Sequence, residues 1–157
     1  MEILEQIKDI DSSPGAGYYE VFILKDMVVK KYWNKKKFET DVKIHEKLDD
    51  FDLIPRMIAN FEHDEDFYLI VEKVECFDKM VNIKGEIFGL YPRDYFEKLD
   101  EIESSPEYKQ NEKEYIKRLN NHGYKLVDIH CGNFGLKKDK TFVCLDEGCF
   151  QEIQQKD

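Results

Sequence analysis

Short runs of aromatic and β-branched residues dominate the first half of the chain, a pattern typical of β-strands. "YYEVFIL" (18–24) and "MVVKKYW" (27–33) are separated only by Lys-Asp, which suits a tight turn, so the two runs predict a hairpin. "LIPRMIANF" (53–61) and "FYLIVEKVE" (67–75) predict two further strands, joined by an acidic turn. The first half is therefore expected to contain a small antiparallel sheet.

Between these pairs of strands the apolar spacing changes to that of a helix. In segment 35–48, Phe38, Val42 and Leu48 fall on one helical face, and polar residues occupy much of the rest. The pattern predicts one helix inserted between the hairpin and the later strands.

The second half of the chain shows helical patterns followed by a last pair of strands. Segment 92–102 begins with a proline, which favours a helix start. Ser105 is a candidate N-cap, Pro106 suits the first helical position, and Gly123 is a candidate stop. Apolar runs on either side of residues 137–140 predict a closing hairpin.

Composition and charge limit the possible functions. The chain has 157 residues, of which 41% are hydrophobic, so it can form one domain or two small lobes with a real core. The formal net charge of −10 argues against broad binding to nucleic acid or anionic membranes. No apolar run approaches the roughly 18–20 residues that a membrane span needs.

The N-terminus and the cysteines point to a cytoplasmic location, in a cell or an infected host. The first residues, "MEILEQIKDID", do not resemble a signal peptide. The 4 cysteines contain no CxxC pair and match no common zinc module, so we expect reduced thiols.

The most specific stretch is "LVDIHCGNFGLKKDKTFVCLDEG" (126–148), which places two acids and an amide next to short predicted strands. The two acids are Asp128 and Asp146, and the amide is Asn133. Asp128 precedes the amide by five residues. A plain hairpin with polar ends is the alternative interpretation of these residues.

This order of elements and motifs resembles the protein-kinase-like fold, which protein kinases share with small-molecule kinases. Asp128 to Asn133 is similar to the catalytic loop D-x-x-x-x-N, and Asp146-Glu147-Gly148 to the metal-binding D-x-G. The resemblance implies an α+β fold, with a sheet-rich N-lobe carrying one helix at 1–75 and a reduced helical C-lobe at 76–157. It implies ATP and Mg²⁺ as cofactors, bound metal at Asn133 and Asp146, and Asp128 as the residue that orients, or deprotonates, the acceptor hydroxyl.

The N-terminal half supplies a candidate phosphate-binding region. "PGAGYYEV" (14–21) resembles the kinase glycine-rich loop, which implies that Gly15, Gly17 and Val21 contact the nucleotide, although Glu20 replaces the third glycine. Lys30 resembles the strand lysine that binds the α- and β-phosphates and contributes to catalysis. Lys31 is the alternative if the strand register slips by one residue.

The lysine's partner acid and the adenine contacts also follow from the resemblance. Asp41 stands where the family carries a glutamate, and Glu39 is the alternative, about 200° away around the helix. The backbones of Glu72 and Val74 are implied as the edge that recognises adenine.

Two departures from the family leave the function open. Leu126 replaces the usual histidine two residues before the catalytic aspartate, and only residues 149–157 follow the D-x-G motif. We therefore expect a minimal, C-terminally truncated kinase that acts on a protein or small molecule. The alternatives are a pseudokinase-like or inhibitory module that binds a protein partner, and a structural scaffold. No nucleic-acid partner and no membrane span are expected.

Overall fold

The computed structural model describes residues 2–15, 18–77 and 95–154 and has an α+β architecture with small antiparallel sheets. Two predicted features lie outside the described residues: Gly17 of the glycine-rich segment and the proline that opens segment 92–102.

The chain divides into two compact units. The N-terminal unit comprises residues 1–50 and 55–73, and the C-terminal unit comprises residues 51–54 and 74–157. The lobe boundary after residue 75 stays a prediction from the sequence, and the structure groups residues 51–54 with the second unit.

The N-terminal unit combines two helices with a five-stranded antiparallel sheet of order β1-β2-β3-β5-β4. Its elements in chain order are α1 (Glu2–Ile7), β1 (Ser13–Gly15), β2 (Tyr19–Ile23), β3 (Met27–Tyr32), α2 (Lys35–Leu48), β4 (Met57–His63) and β5 (Asp66–Glu72). The predicted hairpin is confirmed as β2–β3, in which Val21 lies opposite Lys30. The predicted helix is confirmed as α2.

Two predicted strands are shorter or later than the sequence suggested. β4 begins at Met57 rather than residue 53, and β5 ends at Glu72 rather than residue 75. Pro55 explains the first difference, because proline lacks the N–H that a strand ladder needs. Asp64 and Glu65, which form the turn between β4 and β5, adopt the left-handed conformation with φ of 49° and 67°.

Each face of the five-stranded sheet has its own apolar core. One core contains Phe22, Val29 and Ile70 and includes Ile7 of α1, and Ile3 packs against it. The other core lies on the α2 side, and its buried members are Tyr19, Tyr32, Val42, Phe67, Leu69 and Val71. Successive residues of β3 therefore enter opposite cores.

Helix α1 has no counterpart among the elements predicted from the sequence. It has only 6 residues, too few to be stable alone, so its packing on the sheet sustains it. Ile3 and Ile7 lie one helical turn apart, which places both against the same core.

In its described residues, the C-terminal unit combines two helices with two small antiparallel sheets. Its elements are β6 (Glu75–Cys76), α3 (Tyr95–Ser104), α4 (Pro106–Asn121), β7 (Tyr124–Leu126), β8 (Phe134–Leu136), β9 (Phe142–Cys144) and β10 (Phe150–Glu152). β6, β8 and β9 form one sheet, and β7 pairs with β10. The predicted closing hairpin is confirmed as β8–β9.

Helix α4 starts and stops where its sequence indicates. The Ser105 side chain accepts a hydrogen bond from the Tyr108 backbone N–H, and Pro106 opens the helix. Gly123 has a φ of 85°, which a side chain disfavours, so the chain leaves the helix there. The helix buries Tyr115 and Leu119 against the sheet side of the unit.

Aromatic side chains form the core of the C-terminal unit. The Phe134 and Phe142 rings have centroids 4.8 Å apart, and Tyr108 and Tyr115 of α4 make edge or tilted contacts with both. Because Phe134 begins β8 and Phe142 begins β9, this core fixes the hairpin that follows the predicted catalytic loop.

No helix within the described ranges is long and apolar enough to cross a membrane.

Candidate phosphoryl-transfer site

Two segments of the C-terminal unit carry the predicted acids and amide, and backbone hydrogen bonds join them. The Leu145 N–H donates to the Asn133 carbonyl at 2.8 Å, which extends the β8–β9 pairing by one step. The Val127 N–H donates to the Cys149 carbonyl, also at 2.8 Å. The loop that contains Asp128 and Asn133 is thus tied on both sides to the turn that contains Asp146.

Asp128 occupies a left-handed backbone conformation. Its φ is 55°, in a region that aspartate adopts more readily than most residues other than glycine. The Asn133 side-chain amide donates to the Asp128 carbonyl at 2.9 Å and helps to hold this conformation. The Asp128 side chain itself is 75% exposed, so its carboxylate can meet a solute.

Asp146 shapes the turn that follows β9. Its Oδ1 accepts a hydrogen bond from the Gly148 backbone N–H at 2.9 Å, which caps a short 3₁₀ turn over Glu147–Cys149. The Cys149 N–H donates to the Asp146 carbonyl at 3.0 Å. These bonds orient the carboxylate and leave its second oxygen, Oδ2, for another ligand.

The donor chemistry of this pair suits Mg²⁺. The Asn133 amide nitrogen is used by the Asp128 carbonyl, so the amide oxygen is the atom left to meet a cation, together with the Asp146 carboxylate. Across the described residues, no group of three His, Cys, Asp or Glu side chains could hold a metal. That result is compatible with Mg²⁺, which commonly takes one or two protein ligands and completes its shell with phosphate oxygens and water.

Three buried thiols surround this region. Cys131, Cys144 and Cys149 are all buried, and none of the three forms a disulfide. A hydrogen bond with Cys149, together with burial, raises the pKa of the Cys144 thiol. A buried thiol with a raised pKa is a poor nucleophile, which supports a structural role for Cys144.

Lys30 is buried in the N-terminal unit. It retains only 6% of its accessible surface, and its Nζ lies 5.2 Å from the centroid of the Tyr19 ring. This cation–π contact places the ammonium beside β2, where Val21 is the residue opposite Lys30. Lys30 therefore lies on the face of the sheet that α2 covers.

Lys31 lies on the opposite face and has a different environment. Its Nζ forms an ion pair with Asp66 at 3.1 Å, with about a third of each side chain exposed. The hydrogen bond to Asp66 raises the pKa of Lys31. The alternation expected along this strand is therefore confirmed.

The two candidate partner acids on α2 also differ. Asp41 is fully buried; its carboxylate accepts hydrogen bonds from the Tyr32 hydroxyl and the Lys37 ammonium, each at 2.6 Å. Glu39 is exposed and lies 3.9 Å from the Lys35 ammonium. Asp41 bonds to Tyr32, which belongs to the core on the α2 side, so it lies on the same side of the sheet as Lys30. Its position therefore suits a partner of Lys30 better than that of Glu39 does.

The remaining candidates lie at the ends of strands. Gly15 is the last residue of β1 and pairs with Tyr19, so β1 and β2 are antiparallel neighbours. Glu72 ends β5, where its side chain accepts from the Arg56 N–H at 2.8 Å. Val74 is buried at the start of the C-terminal unit.

Comparisons with known proteins support the fold. No family model matches the sequence, and no curated protein matches it. Three solved structures of WbdD superpose with TM-scores of 0.55, 0.55 and 0.56, at 14%, 16% and 15% sequence identity. One is described as a bifunctional kinase-methyltransferase, and another contains a kinase inhibitor.

The superpositions cover 88% or 89% of this chain but only 32% or 35% of the WbdD chains. The chain therefore spans about a third of the structures it resembles. At this level of identity the likeness shows a kinase-like fold, and it does not extend to activity or substrate.

Proposed function

We propose that the protein is a kinase-like phosphotransferase, which uses ATP with Mg²⁺ to phosphorylate a hydroxyl group of a protein or small molecule. The observation that carries this proposal is the junction of the two motifs in the C-terminal unit. The Leu145 N–H donates to the Asn133 backbone carbonyl, which joins the Asn133 loop to the residue before Asp146. The Asn133 side chain donates to the Asp128 carbonyl.

Each residue has a distinct proposed task. Asn133 and Asp146 bind the metal ion, which when bound neutralises charge on the phosphates. Lys30 contacts the α- and β-phosphates, and Asp41 orients Lys30. The backbones of Glu72 and Val74 meet the adenine, and Gly15, Gly17 and Val21 line the nucleotide.

Asp128 acts on the acceptor. Its carboxylate accepts the proton of the acceptor hydroxyl as the oxygen bonds to the γ-phosphorus. The bond from that phosphorus to the β–γ bridging oxygen breaks, and ADP leaves. The left-handed backbone of Asp128 supports this role, because non-glycine residues in the left-handed region cluster at functional sites.

A non-catalytic binding module is the second candidate function, acting on a protein partner with or without nucleotide. The observation that favours it is the crowded carboxylate of Asp41, which already accepts from both Tyr32 and Lys37. An acid engaged in this way, and one methylene shorter than glutamate, has less capacity to position Lys30.

Autophosphorylation and slow ATP hydrolysis test the proposal without a known acceptor. We expect phosphate release, or a phosphorylated peptide by mass spectrometry, from the wild type. Asp128→Asn should abolish the activity while largely sparing ATP binding, because this carboxylate acts mainly in the transition state. Asp146→Asn should weaken Mg-ATP binding as well.

The same assay separates the two candidate functions. Activity that survives unchanged in both variants would place the reaction elsewhere or identify a contaminant. Nucleotide binding by a wild type that transfers no phosphate would favour the non-catalytic module.

A further inference from the structure

The imidazole of His130 lies between the two side chains of the predicted catalytic loop. Its Nε2 is 3.0 Å from the Asn133 amide nitrogen and 3.7 Å from Asp128 Oδ2, with half of the His130 side chain exposed. These contacts place a third polar group against the amide that would face the metal.

The hydrogen bonds of Asn133 fix which atom of its amide faces the histidine. The Asp128 carbonyl can only accept, so the group 2.9 Å away must be the amide NH₂ of Asn133. That NH₂ has a second hydrogen, and the atom beside it is His130 Nε2. Nε2 must then accept, so the neutral ring carries its proton on Nδ1.

The contact with the Asp128 carboxylate would instead require a proton on His130 Nε2, because a carboxylate can only accept a hydrogen bond. At 3.7 Å it is too long for a hydrogen bond, whereas the 3.0 Å contact with Asn133 is within range. The shorter contact therefore decides the tautomer of His130.

Gly132 gives the histidine ring its space. A Cβ at this position would lie 2.9 Å from Nδ1 and 3.0 Å from Cε1 of His130, closer than real Cβ contacts allow. The His130 ring thus packs directly on the backbone of Gly132.

We propose that His130 is a positioning residue for the metal site. Its Nε2 accepts a hydrogen bond that, with the Asp128 carbonyl, holds the Asn133 amide so that its oxygen rather than its nitrogen faces Mg²⁺. This role rests on the proposed function. A neutral hydrogen bond contributes about 1 kcal/mol, so its loss should weaken Mg²⁺-dependent nucleotide binding about fivefold.

Two substitutions separate the effect of the hydrogen-bond acceptor from the effect of the ring's packing. His130→Phe keeps a flat ring over Gly132 but removes the acceptor, whereas His130→Gln supplies a side-chain carbonyl that can accept from Asn133. His63→Phe is the matched control, because His63 ends β4 in the N-terminal unit. Calorimetry should measure ATP affinity with Mg²⁺ and with a chelator for all three variants and the wild type.

We expect His130→Phe to lose about fivefold in affinity with Mg²⁺ and nothing with the chelator, because the lost bond acts only through the metal ligand. His130→Gln should recover most of the loss, and His63→Phe should match the wild type. A loss in His130→Phe that His130→Gln does not reduce would indicate packing over Gly132 and overturn the role.

A spectroscopic readout tests the same role on the free protein. At mildly alkaline pH, ¹⁵N chemical shifts of the His130 ring should show a proton on Nδ1 and none on Nε2, and a proton on Nε2 would overturn the proposal. If the wild type shows no Mg²⁺-dependent binding, the proposed function and the positioning role both fail. If His130→Phe binds as well as the wild type, only the positioning role fails.

Discussion

Replacing Lys30 and Lys31 separately with methionine tests the assignment of the phosphate-binding lysine. The two residues are adjacent on β3 and differ in environment: Lys30 is buried beside Tyr19, and Lys31 pairs with Asp66 at the surface. Methionine preserves most of the side-chain length, so each substitution mainly removes a charge. Only one of the two charges is expected to contact a nucleotide.

The two substitutions should differ mainly in nucleotide binding. A hydrogen bond to a charged group contributes about 1.5–3 kcal/mol, so Lys30→Met should weaken Mg-ATP binding by roughly 10- to 150-fold. The cation–π contact with Tyr19 is lost as well, so the free energy of unfolding should also fall.

Lys31→Met should affect stability rather than nucleotide binding. The lost surface ion pair with Asp66 should lower the free energy of unfolding by about 0.2–1 kcal/mol. Nucleotide affinity should stay within about twofold of the wild type, because Lys31 projects to the other face of the sheet.

Calorimetry with Mg-ATP and thermal denaturation measure both quantities for each variant. Equal losses of affinity, or a larger loss in Lys31→Met, would show that the strand register or the whole pocket assignment is mistaken.

Three further substitutions test the supporting structure. Gly135→Ala should destabilise the protein by about 1–3 kcal/mol in chemical denaturation, because a Cβ would lie 2.6 Å from the Glu75 carbonyl oxygen; an unchanged midpoint would contradict the β6–β8 packing. Tyr115→Phe should cost about 1–3 kcal/mol by removing the donor to the buried Leu53 carbonyl. Burial raises the pKa of Tyr115, so the folded state favours the neutral side chain. The free energy of unfolding of the wild type should therefore fall as pH rises above about 10, where tyrosine in the unfolded chain ionises. The Phe variant should show a shallower fall, and parallel curves for the two proteins would refute this. Asp41→Asn should weaken Mg-ATP binding if Asp41 orients Lys30, whereas Glu39→Gln on the exposed face should leave it unchanged; equal effects would remove the preference for Asp41.

Elements with strong local signals were predictable from the sequence. Helix α2 and the hairpin β2–β3 follow directly from hydrophobic spacing, and the Ser105 cap and Gly123 stop fix the ends of α4. In these segments the local preference and the tertiary packing agree, which is when sequence patterns are most informative.

Elements that depend on tertiary packing were not predictable. Helix α1 is too short to show a reliable period and exists because Ile7 and its neighbours meet the sheet. The assignment of residues 51–54 to the C-terminal unit depends on contacts distant in sequence, such as the bond from the Tyr115 hydroxyl to the Leu53 carbonyl.

The identity of the site residues stays a prediction from the sequence, whereas their contacts could come only from the structure. The spacing of Asp128, Asn133 and Asp146 singles them out as candidates, because the motif chemistry constrains residue type and separation. The contacts that surround them left no comparable signal: Tyr19 beneath Lys30, and His130 against Asn133, are single residues whose role appears only in three dimensions. The exception is Gly132, whose lack of a side chain marks the space that His130 occupies.

The most direct test of the central claim is calorimetric titration of the wild-type protein with ATP, in the presence of Mg²⁺ and in the presence of a chelator. The account predicts binding at or below millimolar nucleotide with Mg²⁺ and a clear loss of affinity when the metal is removed, because Asn133 and Asp146 act on the phosphates through the ion. No heat of binding at millimolar Mg-ATP, or an affinity that is the same without Mg²⁺, would contradict it.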